Sequence, residues 1–284
     1  MSRLALLQCS DLHFGRDAEL AQVAALEGLA TDLAPTAVVV AGDLTQRARH
    51  GEFQRALEFV HALRRIAPTL VVPGNHDVEW WITPFDVAGA AAKYQKYRRY
   101  FGRELAPTIQ VDGAILCGVL TSFGVVAGSM TYNLNDMAVK GHLPASETER
   151  AGLRFAEEPA DLLRVLVMHQ NLLRGGISQR MGLARWRAAW RQVMATGADL
   201  VLCGHDHQEG AGLLPNGAVV ATSGTHTSRT RGKRPSACNF ILVDDREITV
   251  RHYFWQPNEG RFLPGEEHRF PRPRAAAAGA TSDG

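Results

Sequence analysis

Five apolar runs in this chain each lead into a short polar group, and that grammar limits the fold more than any other feature. Leu4 to Leu7 leads to Asp11-Leu12-His13, and Ala37 to Ala41 to Gly42-Asp43. Thr69 to Pro73 leads to Gly74-Asn75-His76-Asp77, Val165 to Met168 to His169, and Leu200 to Cys203 to Gly204-His205-Asp206-His207. Each run has the length and the β-branched bias of a buried strand. In open α/β sheets, ligands bind beyond the carboxyl ends of the strands. The runs therefore predict strand ends that bring Asp, Asn and His side chains to one place.

Between the first three runs lie segments with helical spacing. One carries Leu20, Val23, Ala24 and Leu29, with Asp17 as a candidate cap; the other carries Phe53, Leu57, Val60 and Leu63. The first 77 residues thus read β-α-β-α-β, a parallel arrangement with helices outside. Residues 78–110 interleave Trp80, Trp81, Phe85, Tyr94, Tyr97, Tyr100 and Phe101 with lysines and arginines. An amphipathic helix with its aromatics inward is the plainer reading, a nucleotide-stacking surface the sharper one. Residues 114–120 read as a strand, 121–145 as a long loop, 146–157 as a helix capped by Ser146, and 181–196 as another helix. Residues 217–222, 238–243 and 247–254 alternate like antiparallel strands, with a turn at Asp244-Asp245-Arg246. The predicted domain covers 1–270, with 78–145 a variable insert on the substrate side. A disordered tail rich in Pro, Arg, Ala and Gly is expected over 271–284.

A net charge of +2 argues against nucleic acid held by bulk electrostatics. No apolar run reaches the length of a membrane span, and the N-terminal run is short for a signal peptide. Cys9, Cys117, Cys203 and Cys238 are scattered without a CxxC, which reads as buried free thiols and points to a cytoplasmic protein.

Imidazole, carboxylate and amide oxygen together suit divalent Mn, Fe, Co or Zn. No cysteine joins the set, which argues against a structural zinc site. The ligands exceed what one four-coordinate ion needs and suit two ions sharing a carboxylate. Such a pair can polarise a phosphoester and activate a water as nucleophile.

The five blocks in this order, with 32 residues from Asp11 to Asp43 and 32 from Asp43 to Asn75, resemble the calcineurin-like metallophosphoesterase superfamily. Within it the chain looks most like the bacterial class III cyclic-nucleotide phosphodiesterases. The resemblance implies a four-layer α/β/β/α sandwich with two mixed sheets. It implies that Asp11, His13 and His207 hold one metal, that Asn75, His169 and His205 hold a second, and that Asp43 bridges them. His76 would contact the phosphoryl group, together with Asn75, and protonate the leaving alkoxide. Asp77 would orient the loop or His76, and Asp206 or a carbonyl would take the second nitrogen of a ligating histidine. Members of the superfamily differ in native metal, substrate and oligomeric state, so a homodimer stays open.

Leu44-Thr45-Gln46-Arg47 follows Asp43 in place of the Asp-Arg-Gly of protein phosphatases. Gln46 stands where the cyclic-nucleotide group commonly has an acid, and Gln170-Asn171 where it has His and Pro. The expected reaction is hydrolysis of a small-molecule phosphodiester, with a cyclic nucleotide as the first substrate class. The alternatives are a nucleotide-linked lipid-precursor pyrophosphatase, a phosphomonoesterase and a non-catalytic interaction module. His226 follows a strand end near the expected site, and the run Arg229 to Arg234 reads either as a solvated basic loop or as a contact for a phosphate or nucleotide.

Overall fold

The computed structural model describes residues 4–15, 18–79, 93–123, 140–227 and 230–273. Asp17, Trp80, Trp81, Phe85, Arg229 and most of the predicted 121–145 loop and of the tail lie outside these residues.

Among the described residues, twelve strands form two six-stranded sheets. The first sheet contains β1 (Leu4–Cys9), β2 (Ala37–Ala41), β3 (Thr69–Val72), β10 (Ala237–Val243), β11 (Glu247–Gln256) and β12 (Arg261–Pro271). Its order is β12-β11-β10-β1-β2-β3. β1, β2 and β3 run parallel and the other pairs antiparallel. The second sheet contains β4 (Thr108–Val111), β5 (Ala114–Gly118), β6 (Leu163–Val167), β7 (Leu200–Cys203), β8 (Gly210–Leu213) and β9 (Val219–Thr222), in the order β4-β5-β6-β7-β9-β8. β5, β6, β7 and β9 are parallel there.

Strand periodicity builds the layers. Val39 and Ala41 of β2 face Leu116, Val165 and Leu202 across the inter-sheet core. Val38 and Val40 point the other way, toward Leu26 of α1 (Leu20–Leu33) and Phe53, Val60 and Leu63 of α2 (His50–Ile66). Because both faces are covered, all of β2 is buried, as expected for a parallel strand under helices. On the far side, Ile115, Leu166 and Val201 pack against Phe155 of α4 (Ala145–Ala156) and Val193 of α5 (Trp186–Ala195). The result is the α/β/β/α sandwich.

The described part of the aromatic stretch, Tyr94 to Phe101, packs inward. In α3 (Gln95–Phe101), Tyr97, Tyr100 and Phe101 gather around Phe53, and Tyr94 and Tyr97 are buried. They form core rather than a stacking surface.

Several expectations need correction. α1 buries Val23, Leu26 and Ala30 but leaves Leu20 exposed, so its inward face is rotated from the predicted stripe. α4 begins at Ala145 and Ser146 makes no cap; Pro144 enters the helix, and Glu147 accepts a hydrogen bond from Leu120 N instead. α5 starts only at Trp186, because Gly182 N donates to Asn171 O and ties the preceding residues to the β6 loop. β9 pairs parallel with β7 and antiparallel only with β8. β4, β8 and β12 had no clear periodic signal. β12 runs to Pro271, and Arg272 donates to the carbonyls of Arg246 and Asp161, so ordered contacts pass the predicted boundary.

Candidate metal centre

Parallel strands of both sheets end at one edge of the sandwich. Asp11 and His13 follow β1, Asp43 follows β2, and Asn75, His76 and Asp77 form a single 3₁₀ turn after β3. His169 follows β6; His205 and His207 follow β7. The first sheet thus supplies the oxygen donors and the imidazoles of His13 and His76, and the second sheet supplies three imidazoles.

The backbone at these positions is unusual. Asp11, His13, Asp43, His205 and His207 all have positive φ, between 44° and 76°. Non-glycine residues seldom adopt this left-handed region, and such strain collects at functional sites. The turns also need glycine. A Cβ on Gly74 would lie 2.1 Å from Asp43 Oδ1, and Gly42 (φ 86°) lies against the His169 ring.

Two clusters result. Asp11, His13, Asp43 and His207 offer donor atoms all within 4.8 Å of one another, as do Asp43, His169 and His205. In the first, His13 Nε2 lies 2.9 Å from His207 Nε2, and His207 Nε2 lies 3.3 Å from Asp11 Oδ1. In the second, Asn75 Oδ1 lies 3.1 Å from His169 Nε2 and 3.0 Å from His205 Nδ1, which adds the amide to that group. One oxygen belongs to both: Asp43 Oδ2 is 3.6 Å from His13 Nε2 and 3.3 Å from His169 Nε2.

The donors fit divalent cations. Lone pairs of imidazoles and carboxylates converge without enough protons between them to satisfy all. Asp11 Oδ1 is fully buried, and among the described residues it meets only the His207 and His13 imidazoles, Nε2 at 3.3 and 3.8 Å, without a well-formed hydrogen bond. A buried carboxylate oxygen left this way costs several kcal/mol unless a cation meets it.

Surrounding groups fix the orientation. His169 Nδ1 donates to Ala41 O at 2.8 Å, which turns Nε2 to the site. Asp11 Oδ2 accepts from His205 N at 2.9 Å, and Asp43 Oδ1 from His76 N at 2.8 Å. His76 Nδ1 donates to Gln46 O at 2.8 Å, and its ring meets His13 edge-on with centroids 4.6 Å apart. Asp77 is a loop anchor. Its carboxylate accepts from the main-chain N–H of Leu44, Thr45 and Gly74 and from Thr45 Oγ1.

Electrostatics in the metal-free protein follow from this packing. Burial alone would raise the Asp43 pKa, but His169, His76 and His13 hold it below the ordinary carboxylate range. Burial would push His169 down, yet the Asp43 carboxylate and then Asp11 bring it up to about 9. Burial and the neighbouring His169 drive His205 down to about 3.

All the expected ligands meet here, and His76 stands beside them. Asp206 does not fill the expected supporting role. Its carboxylate turns away to Ser178 Oγ at 2.8 Å, and the carbonyl of Ala41 supports His169 instead. Two further residues join the site, His226 as its place after a strand end suggested and Thr225 without a signal of its own. Thr225 Oγ1 donates to Asp11 O at 2.8 Å, and fully buried His226 donates from Nδ1 to Ser10 O at 3.1 Å. Among the described residues no helix is long and apolar enough to cross a membrane.

The family model described as calcineurin-like phosphoesterase matches residues 4–209, a span that includes every candidate ligand. No curated protein matches the chain. A dimetal phosphatase from Danio rerio superposes with a TM-score of 0.63 at 12% identity, over 95% of this chain and 99% of that one. Purple acid phosphatase PPD1 from yellow lupin seeds gives 0.64 at 12% identity, over 95% of this chain and 54% of that one. GAP50 of Plasmodium, the anchor in its inner membrane complex, gives 0.57 at 12% identity, over 98% and 94%. At these identities the likeness is one of fold.

Proposed function

The chain belongs to the calcineurin-like phosphoesterase family, and from that premise we propose that it hydrolyses a phosphodiester with two divalent ions bound at the strand ends. Asp11, His13 and His207 would hold one ion and Asn75, His169 and His205 the other, with Asp43 available to both. The observation that carries this reading is the Asp43 Oδ2 atom, within 3.6 Å of an imidazole nitrogen of each cluster. A carboxylate shared in this way suits two adjacent cations better than one.

When bound, the ions neutralise phosphoryl charge and lower the pKa of water. The chain's own groups do the rest. Asn75 and His76 face the phosphoryl group. With Nδ1 committed to Gln46 O, His76 presents Nε2, the atom that passes a proton to the departing alkoxide. The Asp77 anchor holds the Asp43 and Asn75 turns at a fixed separation, which preserves that geometry.

The class III resemblance makes a cyclic nucleotide the first natural substrate to try. The test is a paired assay. Protein stripped with chelator and resupplied with manganese is offered bis(p-nitrophenyl) phosphate and p-nitrophenyl phosphate. Manganese-dependent cleavage favouring the diester is the expected result. Preference for the monoester would point to a phosphatase. With metal bound, cleavage of neither would leave a narrow pyrophosphatase or a non-catalytic module.

A further inference from the structure

The loop between β9 and β10 brings a guanidinium to the turn that carries two of the candidate ligands. Arg231 is exposed, yet its Nε donates to the main-chain carbonyl of Asp206 at 3.0 Å. Asp206 stands between His205 and His207, so Arg231 is pinned to the peptide that links them.

The loop is shaped to hold it there. Arg234 N donates to Arg231 O at 3.0 Å, closing a turn in which Gly232 and Lys233 take left-handed backbone, φ 56° and 61°. The far end is fastened by the ion pair of Arg234 with buried Glu209. Gly232 itself lies against Ile177, where a Cβ would come within 2.7 Å of Cδ1.

With Nε engaged, the two terminal nitrogens of Arg231 have no hydrogen-bond or ion-pair partner among the described residues. The Asp206 carboxylate is itself turned to Ser178. A guanidinium offers two parallel N–H groups that match a phosphate or carboxylate edge. One already anchored through Nε loses little freedom when it binds. Its position is peripheral. Asp11, His13, Asp43 and His169 are at most 2% exposed, whereas the His207 side chain is 18% exposed. Arg231 is exposed and is bonded to the turn whose last residue, His207, is the more open of these ligands.

We propose that Arg231 recognises a second anionic group on the substrate, a phosphate monoester carried beyond the scissile phosphodiester. The inference rests on the phosphodiesterase reading and narrows it. It sets a diester bearing a further phosphate ahead of a singly charged cyclic nucleotide.

The test uses the manganese-loaded protein and a matched pair of substrates. These are thymidine 5′-(p-nitrophenyl phosphate) and the same compound phosphorylated at the 3′ hydroxyl, each followed by release of p-nitrophenolate. The expected result is a kcat/KM about tenfold higher for the phosphorylated member, expressed in KM, from one charge-assisted contact. Arg231→Ala abolishes that preference, and Arg231→Lys, which keeps the charge but not the fork, retains part of it. The absence of a preference in the wild type would overturn the proposal. So would an equal fall on both substrates with weaker manganese binding, since Arg231 would then only brace the ligand turn. Failure of the wild type to cleave either compound would instead remove the phosphodiesterase reading, and this inference with it.

Discussion

His76 Nδ1 lies 2.8 Å from the main-chain carbonyl of Gln46, a partner that no substitution of the Gln46 side chain can delete. The ring is oriented without a carboxylate, through Nδ1 alone. His76→Ala is expected to retain both metals and to lose about a hundredfold or more in kcat with alkyl leaving groups. The loss should be smaller with p-nitrophenolate, which departs without a proton. Equal losses on the two substrate types would argue against a proton-donor role.

Asn75 is the amide oxygen that meets both His169 and His205. Asn75→Ala should lower the metal content from two ions to one per chain, read by elemental analysis after dialysis. Activity should fall about a hundredfold or more, because a single ion cannot polarise both the attacking and leaving oxygens. Full occupancy in the variant would remove Asn75 from the ligand set.

Metal removal should cost stability as well as activity. The buried Asp11 Oδ1, which lacks a well-formed hydrogen bond, and the convergent imidazoles favour a cation in the folded state only. The melting temperature is expected to rise with manganese concentration, by about 2.7 kcal/mol of added stability at a hundred times the dissociation constant. A melting temperature indifferent to manganese and to chelator would contradict the site.

Gln8 stitches the two sheets together. Fully buried on β1, it donates to Cys203 O at 2.7 Å and Ala221 O at 3.2 Å in the other sheet, and accepts from Asn239 Nδ2 at 2.9 Å. Gln8→Ala strands these groups and opens a cavity, so a loss of about 3 kcal/mol is expected in urea unfolding. A loss below about 1 kcal/mol would mean that water replaces the amide at little cost.

His252 extends the same chain, donating from Nδ1 to Asn239 Oδ1 at 2.7 Å. Burial, then His268 and Arg234, push its pKa down to about 4. The unfolded chain therefore binds more protons between about pH 6.5 and pH 4. The stability that neutral His252 contributes is full above pH 6.5 and is lost as pH falls toward 4, by up to about 3 kcal/mol. Urea midpoints at pH 7 and pH 5 should differ less in His252→Gln than in the wild type. An unchanged difference would clear His252 of that pH dependence.

The site was legible because its residues carry chemistry that a buried strand has no other use for. Asp11, Asp43, Asn75 and the histidines sit directly behind apolar runs, where a purely structural sequence would place turn formers. The parallel strands were legible for the same reason as β2, whose continuous apolar run implies cover on both faces. β8 was not legible. Its Gly-Ala-Gly-Leu sequence is a strand only because β9 is there to pair with it. β12 contains Pro264, Gly265 and two adjacent acids, which read as loop, and the register shift in β11 between Arg251 and Tyr253 is what lets it pair. The turn to Asp206 and Ser178 was hidden because alternate residues of a tight loop face opposite ways, and only coordinates say which way each faces.

The division of ligands between the sheets has a kinetic meaning. Asp11, Asp43 and Asn75 come from one sheet and His169, His205 and His207 from the other, so neither half-sandwich alone can assemble the centre. The ligand set is complete only once the sheets dock. To the extent that docking follows the transition state, an ion bound there slows unfolding while leaving the folding rate nearly untouched. The metal would then act as a latch, closing a sandwich that the chain has already built and lengthening the time it stays closed.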